Sequence, residues 1–369
     1  MGRSFFFAGG GTGGHIYPAV AVAERIIELD STAQVHFFCS ERDIDSRILN
    51  RSGFEHTQLP AKEFSVRPGK FIEFVRSFLQ STRIAKEIIA AGDKPVVIGV
   101  GGFIAAPACW AGHKLKIPVA LLNVDIVPGK ANKIIARWAD EIFVQFEDTA
   151  ECFTKTKAKV SIAGCPLRKA FDNPEPAKVK SKLELDTNKK ILLITGASSG
   201  SANINDAVCS NISNLDAFAD DWQIVHLAGM ANYDEVAKRY SGAKIAVKLL
   251  TYCDDMPSLL SAADLVIGRS GAVSIAEYAA ASVPSICMPY PYHRDRHQYL
   301  NAGKLVEAGA AIIVDDVPDA GDRAEWLAEE LQELMKDDAK RREMKNACAK
   351  IARKDAALTI ATKLIEVSP

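Results

Sequence analysis

The chain has 369 residues, 48% of them hydrophobic and 25% charged, with a formal net charge of -1. That balance excludes a disordered or fibrous chain and offers no global attraction to nucleic acid, so no nucleic-acid partner is expected. The length exceeds one ordinary core and predicts two domains.

The first apolar run, Phe5–Ala8, meets five glycines between positions 9 and 14, and an apolar helical pattern resumes at Ile16 with Val20, Ala21 and Ala23. This spacing predicts a strand, a tight turn and a helix. Glycines in such a turn let backbone N–H groups approach an anion, and the helix start adds partial positive charge, so a phosphate-bearing ligand is expected. His15 places at the mouth of that turn an imidazole, the side chain that exchanges a proton near neutral pH. Arg3 and the short run after it fall well short of a signal-peptide core, and the eight scattered cysteines form no C-x-x-C pair, which together point to a reducing, cytoplasmic location.

A second strand, QVHFFCS (34–40), precedes the polar helix ERDIDSRIL (41–49). Its Asp43-Ile44-Asp45 admits two readings, a cation site on a nucleotide sugar or an ion-paired helix start beside Arg42 and Arg47. Segment 64–89 interleaves aromatic and basic residues, with Phe71, Phe74 and Phe78 on one helix face. That face is either core or, with Lys70, Arg76 and Arg83, a surface that dips into a membrane interface. Apolar strands at 95–103, 117–125 and 141–146 alternate with helices, the pattern of a doubly wound parallel sheet with ligands at the carboxyl ends of its strands. The Pro-rich stretch Pro166–Pro176 marks a domain boundary, after which strands at 190–200, 222–229, 244–250, 263–271, 285–291 and 310–316 form a second series. No run approaches the ~20 apolar residues that span a bilayer, so membrane association would be peripheral.

Three glycine-bearing turns stand out, at 9–14, 196–200 and 268–271. The first satisfies G-x-G-x-x-G, with Glu41 as a late ribose acid, and lacks the lysine of a Walker loop. In the second, TGASSGSA with Tyr240 and Lys244 imitates a short-chain dehydrogenase, but Ala202 replaces the last glycine and Tyr240 follows too soon; a nicotinamide dehydrogenase stays as an alternative. The third leads into a helix bearing Ser274 and Glu277, the latter in an apolar neighbourhood where a carboxylate either pairs with two ribose hydroxyls or simply complements a helix N-terminus.

Six stretches in order, GGGTGGHIYPAVAVA, GGFIAAPACWAG, IVPGKANKIIARWAD, GCPLRK, CDDMPSLLSAADLVIGRSGAVSIAE and DRHQYLNAG, make the sequence resemble the MurG family. These are the bacterial glycosyltransferases that move GlcNAc from UDP-GlcNAc to the lipid-linked muramyl-pentapeptide of peptidoglycan synthesis. The resemblance implies an α/β GT-B architecture, two Rossmann-like domains facing an interdomain cleft: residues 1–167 acceptor- and membrane-facing, 168–340 donor-binding, and 341–369 returning to the first domain. It implies an inverting, metal-independent transfer with no cofactor beyond the UDP-GlcNAc donor, on an undecaprenyl-linked muramyl-pentapeptide at the inner leaflet, on the cytoplasmic side of the plasma membrane.

By the same likeness His15 is the candidate base. Ser198 and the backbone at Ala272, Val273 and Ser274 would meet the diphosphate, and Thr12, Gly13 and Gly14 would approach the donor from the first turn. The Cys253 backbone would read uracil, Glu277 would hold ribose, Arg168 would touch the nucleotide and Gln298 the GlcNAc hydroxyls. The lipid acceptor gives Phe71, Phe74, Phe78, Lys70, Arg76 and Arg83 their membrane role. Two departures stand out. Leu122-Asn123-Val124-Asp125 replaces the family's His-Glu-Gln-Asn, putting Asp125 where a sugar-contacting Asn is usual and making it a second candidate base, and GASSG replaces GGSxG. A MurG-like transferase with another sugar or acceptor, and a GT-B-fold UDP-GlcNAc 2-epimerase, are the alternatives.

Overall fold

The computed structural model describes residues 2–11, 13–197 and 200–369. Two compact units divide the chain, one holding residues up to Lys169 together with Arg353–Pro369, the other Ala170–Ala352.

In the first unit seven parallel strands, β1 (Ser4–Gly9), β2 (Gln34–Cys39), β3 (Glu55–Gln58), β4 (Val96–Gly101), β5 (Val119–Asn123), β6 (Glu141–Val144) and β7 (Lys159–Ile162), lie in the order β3-β2-β1-β4-β5-β6-β7. Helices α1 (Gly13–Leu29), α2 (Asp43–Arg51), α3 (Pro68–Ala90), α4 (Ala105–Lys114), α5 (Lys130–Ile135) and α6 (Glu147–Glu151) connect them. Strands β1 and β4 are buried along their whole length because helices cover both faces, which is why they read as unbroken apolar runs rather than as alternation. The edge strands EHTQ and KVSI are short and partly exposed, and no apolar run marks them. Strand order reverses between β1 and β4, opening a crevice at their carboxyl ends.

The second unit begins with α7 (Pro176–Lys182) and repeats the plan with β8 (Lys190–Thr195), β9 (Trp222–Leu227), β10 (Ala246–Leu250), β11 (Leu265–Gly268), β12 (Ser285–Cys287) and β13 (Ala311–Ile313) in the order β10-β9-β8-β11-β12-β13. Its helices are α8 (Ala202–Cys209), α9 (Ile212–Leu215), α10 (Tyr233–Arg239), α11 (Met256–Ala262), α12 (Ala272–Ala280), α13 (His297–Glu307), α14 (Ala320–Lys336) and α15 (Asp338–Ile351). Here the reversal falls between β8 and β11.

The segment 341–369, expected to return whole to the first domain, is split. Met344 of α15 packs into the second unit's core and Cys348 is buried there, whereas only α16 (Ala356–Val367) joins the first unit, against α1. The first boundary lies after Lys169 rather than after 167 because Lys169 is tied back to α1, its N–H donating to Glu24 and its ammonium pairing with Glu28.

Candidate functional site

In the first unit the turn after β1 is held by α2. Gly11, at φ +91°, donates its N–H to both Asp45 carboxylate oxygens at 2.8 and 3.1 Å, and Arg42 donates to the Gly11 carbonyl at 2.9 Å. Asp45 is fully buried and accepts also from the Ser40 N–H and hydroxyl. The Asp43-Ile44-Asp45 pair is therefore not an open cation site, since one of its carboxylates is consumed as a clamp on the glycine turn. A Cβ on Gly10 would stand 2.3 Å from Asp45 Oδ2, and one on Gly9 2.2 Å from the Val100 side chain. Gly9 and Gly10 make room for the protein's own side chains, and the Gly11 N–H is spent on the Asp45 carboxylate rather than left for a ligand phosphate. Thr12 lies outside the described residues; Gly13 is buried and Gly14 exposed.

His15 is half-buried, with Nδ1 3.3 Å from the Gly10 carbonyl oxygen. A carbonyl only accepts, so Nδ1 carries the hydrogen and Nε2 keeps its lone pair, the tautomer a general base requires. Gly101, at φ +109°, ends β4 directly beneath the ring, and a Cβ there would lie 3.0 Å from His15 Nε2 and 3.6 Å from Asn132 Oδ1. Those two polar atoms thus border the same point over β4. Asn132 is buried, donates to Asn123 Oδ1 at 2.8 Å and leaves its own Oδ1 without a hydrogen-bond partner among the described residues. Asn123 in turn donates to the Asp125 carbonyl at 2.7 Å. The structure places Asp125 just past the end of β5, half-buried, and this amide chain links its backbone to the spot beside His15. Asn132, within IVPGKANKIIARWAD, and Asn123, within the departure at 122–125, have no role of their own in the sequence reading; the signal for Asn132 is a buried amide with an unused acceptor. Arg168 is in this unit, its guanidinium 4.7 Å from the centre of the Tyr17 ring on α1.

The outward face of α3 is apolar. Phe71 and Ile72 are exposed at 45% and 55% and Leu79 at 62%, with Val66 at 82% just before the helix. Ser77, Ser81, Ala85 and Ile89 form its buried stripe, against α4. Of the three predicted membrane-facing rings, only Phe71 is exposed. Phe74 and Phe78 are half-buried, with Phe64 edge-on to Phe74 at a centroid distance of 5.3 Å and Phe78 tilted against Phe74 at 6.0 Å. Lys70, Arg76 and Arg83 are exposed, Arg83 sharing its charge with Glu87 at 3.0 Å.

In the second unit the described donor candidates follow the carboxyl ends of β10, β11 and β12. Helix α12 starts after Gly271, which has no side chain to cap it, so no N-cap side chain occupies the first-turn amides of Ala272, Val273 and Ser274. Glu277 sits half-buried on the next turn. Ser270 donates to the Gln298 carbonyl at 2.8 Å, fastening α13 to this turn, and Gln298 Oε1 accepts from the Tyr290 N–H at 3.0 Å, which leaves the Gln298 amide nitrogen to donate. Cys253 follows β10; burial raises its thiol pKa, so its reactivity is damped. Ser198 is outside the described residues. Ala197, where the resemblance expects Gly, holds φ +64°, a conformation that costs a residue with a Cβ about 1 kcal/mol. Tyr240 is no dehydrogenase tyrosine: its hydroxyl is buried against His226 Nδ1 at 2.9 Å, and burial drives its pKa well above the ordinary value.

Sequence and structure comparisons give the family and the fold. The profile described as glycosyltransferase family 28 N-terminal domain matches residues 5–144, and that of the family 28 C-terminal domain matches 191–360. The UDP-N-acetylglucosamine--N-acetylmuramyl-(pentapeptide) pyrophosphoryl-undecaprenol N-acetylglucosamine transferase of Caldicellulosiruptor saccharolyticus is 34% identical over 365 residues, 97% of this chain and 96% of its own. Acinetobacter baumannii MurG shares the fold with a TM-score of 0.74 at 22% identity, covering 99% of this chain and 100% of that one. A Neisseria meningitidis UDP-GlcNAc 2-epimerase, bound to UDP-GlcNAc, also shares it, with a TM-score of 0.71 at 15% identity, covering 99% and 100%. Fold alone therefore does not separate transferase from epimerase; whole-length identity above 30% does, and by it the chain belongs to the MurG family of glycosyltransferases.

Proposed function

We propose that the protein transfers GlcNAc from UDP-GlcNAc to the C4 hydroxyl of an undecaprenyl-diphosphate-linked muramyl-pentapeptide, with inversion at the anomeric carbon. The observation that carries this reading is the kinship over nearly the full chain with proteins named for that transfer. The acceptor oxygen bonds to C1 of GlcNAc as the bond from C1 to the diphosphate breaks. The hydroxyl proton passes to His15 Nε2, and the electron pair of the broken bond leaves with UDP. The His15 tautomer set by Gly10 supports this role, and the Asn132–Asn123 chain orders the neighbouring loop that carries Asp125.

On the donor side, the uncapped first turn of α12 offers amides to the diphosphate, which supports a transfer that needs no metal ion or other cofactor. By family likeness Thr12, Gly13 and Gly14 are assigned to the sugar, Glu277 to ribose, the Cys253 backbone to uracil, Gln298 to the sugar hydroxyls and Arg168 to the nucleotide. None of the described helices is long and apolar enough to cross a membrane. The outward face of α3 instead supports peripheral docking on the cytoplasmic leaflet, where the lipid-linked acceptor is anchored.

Incubation with UDP-GlcNAc, with and without the lipid-linked acceptor, tests the reading. UDP release that requires the acceptor is expected; acceptor-independent release accompanied by a new free hexosamine would overturn it in favour of the epimerase.

A further inference from the structure

One guanidinium joins the carboxyl ends of four neighbouring strands in the second unit. Arg269 follows β11. It donates to the Ser201 hydroxyl, at the start of α8 after the turn that ends β8, at 2.7 Å, and to the Met288 carbonyl, just past β12, at 2.8 Å. Its Nη1 also lies 2.8 Å from Oδ2 of Asp316, beyond the end of β13. Asp316 Oδ2 meets no hydrogen-bond geometry among the described residues, so the contact with Arg269 is an ion pair rather than a directed hydrogen bond. Asp316 has a fully buried side chain, with Asn203 of α8 donating to its Oδ1 at 2.7 Å and Arg323 of α14 at 3.5 Å from the same oxygen. It is thus a buried anion facing two buried guanidiniums; Arg323 also pairs with Asp206 at 3.0 Å, so it is Arg269 that loses its facing carboxylate when the Asp316 charge is removed.

Ligands of open parallel sheets bind at the carboxyl edge, beside the strand-order reversal, which here falls between β8 and β11. The Arg269 guanidinium spans that reversal. We propose that Asp316 is a positioning residue for the donor diphosphate: by holding Arg269 in place it fixes the distance between the Gly200–Ser201 turn and the Ser270–Gly271 turn that opens α12. This rests on the donor-binding reading of the second unit. Asp316 touches no substrate in this account; it acts through Arg269.

The test is UDP binding by the full chain, measured by calorimetry, for the unsubstituted protein, Asp316→Asn, Ser201→Ala and the double variant, each with a urea midpoint. Ser201→Ala keeps the ion pair and removes its link to the β8 turn. Expected are a Kd for UDP raised at least tenfold in Asp316→Asn and at least threefold in Ser201→Ala, with the double variant no weaker than Asp316→Asn alone, because both changes act through one guanidinium. A folded Asp316→Asn that binds UDP within twofold of the unsubstituted protein, with only its urea midpoint lowered, overturns the proposal by reducing Asp316 to a structural role. Should Asp316→Asn fail to fold, Ser201→Ala decides, and an unchanged Kd there overturns it equally. Absence of UDP binding by the unsubstituted protein would overturn the donor reading itself, whereas binding that both variants retain would overturn this proposal alone.

Discussion

Replacing Asp45 by Asn isolates the clamp on the first glycine turn. The carboxylate receives three donors, the Gly11 N–H, the Ser40 N–H and the Ser40 hydroxyl, in a fully buried position. An Asn oxygen in the Oδ2 position still accepts all three, but each changes from a charge-assisted to a neutral bond, a loss of about 1 kcal/mol apiece. The new amide NH2 also stands where Oδ1 now accepts from Gly11 at 3.1 Å, setting donor against donor. Together these predict a loss of roughly 3–4 kcal/mol in the stability of the first unit. Because the Gly10 carbonyl orients His15, turnover should fall along with stability. Urea denaturation combined with hydrogen-exchange mass spectrometry over residues 5–20 measures both the global and the local effect, and peptides covering the turn should lose protection by about two orders of magnitude. An unfolding free energy within about 0.5 kcal/mol of the unsubstituted protein, with unchanged protection of that peptide, would refute the clamp.

His15→Ala should lower kcat by roughly 100-fold or more while the donor KM moves little, since Nε2 is needed for proton transfer rather than for donor affinity; steady-state kinetics in which kcat is unchanged would remove His15 from the mechanism. His226 is buried with Nε2 donating to Asn205 and Nδ1 accepting from Tyr240, and burial pushes its pKa down to about 3. Its folded-state pKa lies below the unfolded one, so its contribution is full above about pH 6.5 and is lost as pH falls toward 3. Between pH 7 and pH 5 it should cost about 2 kcal/mol, read as a difference in urea stability that disappears in His226→Gln; equal pH slopes in the two proteins would contradict it. On α3, Ile72→Glu with Leu79→Glu should abolish flotation with vesicles containing anionic lipid while leaving UDP binding intact, and undiminished flotation would exclude that face as the docking surface.

The two alternating series were legible because parallel strands covered on both faces are written as continuous apolar runs, β1 and β4 above all. The edge strands β3 and β7 were not, since four residues, polar in EHTQ and a single alternation in KVSI, are too few to stand out as a strand. The place of His15 was readable from the turn; its tautomer was not, because that depends on the Gly10 carbonyl across the loop. Asp45 looked like half of a cation pair, since sequence shows which carboxylates are neighbours but not which amides have claimed them. Helical spacing on α3 put Phe71, Phe74 and Phe78 together, yet which side faces outward is decided by the stripe of Ser77, Ser81 and Ala85 against α4. Asp316 and Arg269 are separated by 47 positions and meet only when four strands end side by side.

Transfer itself is the most direct test. With UDP-GlcNAc labelled in the sugar and the undecaprenyl-linked muramyl-pentapeptide presented in vesicles, the label should move into the lipid fraction as a disaccharide with a β linkage, one UDP being released for each sugar moved. Label that stays water-soluble while the protein binds both substrates would contradict the account.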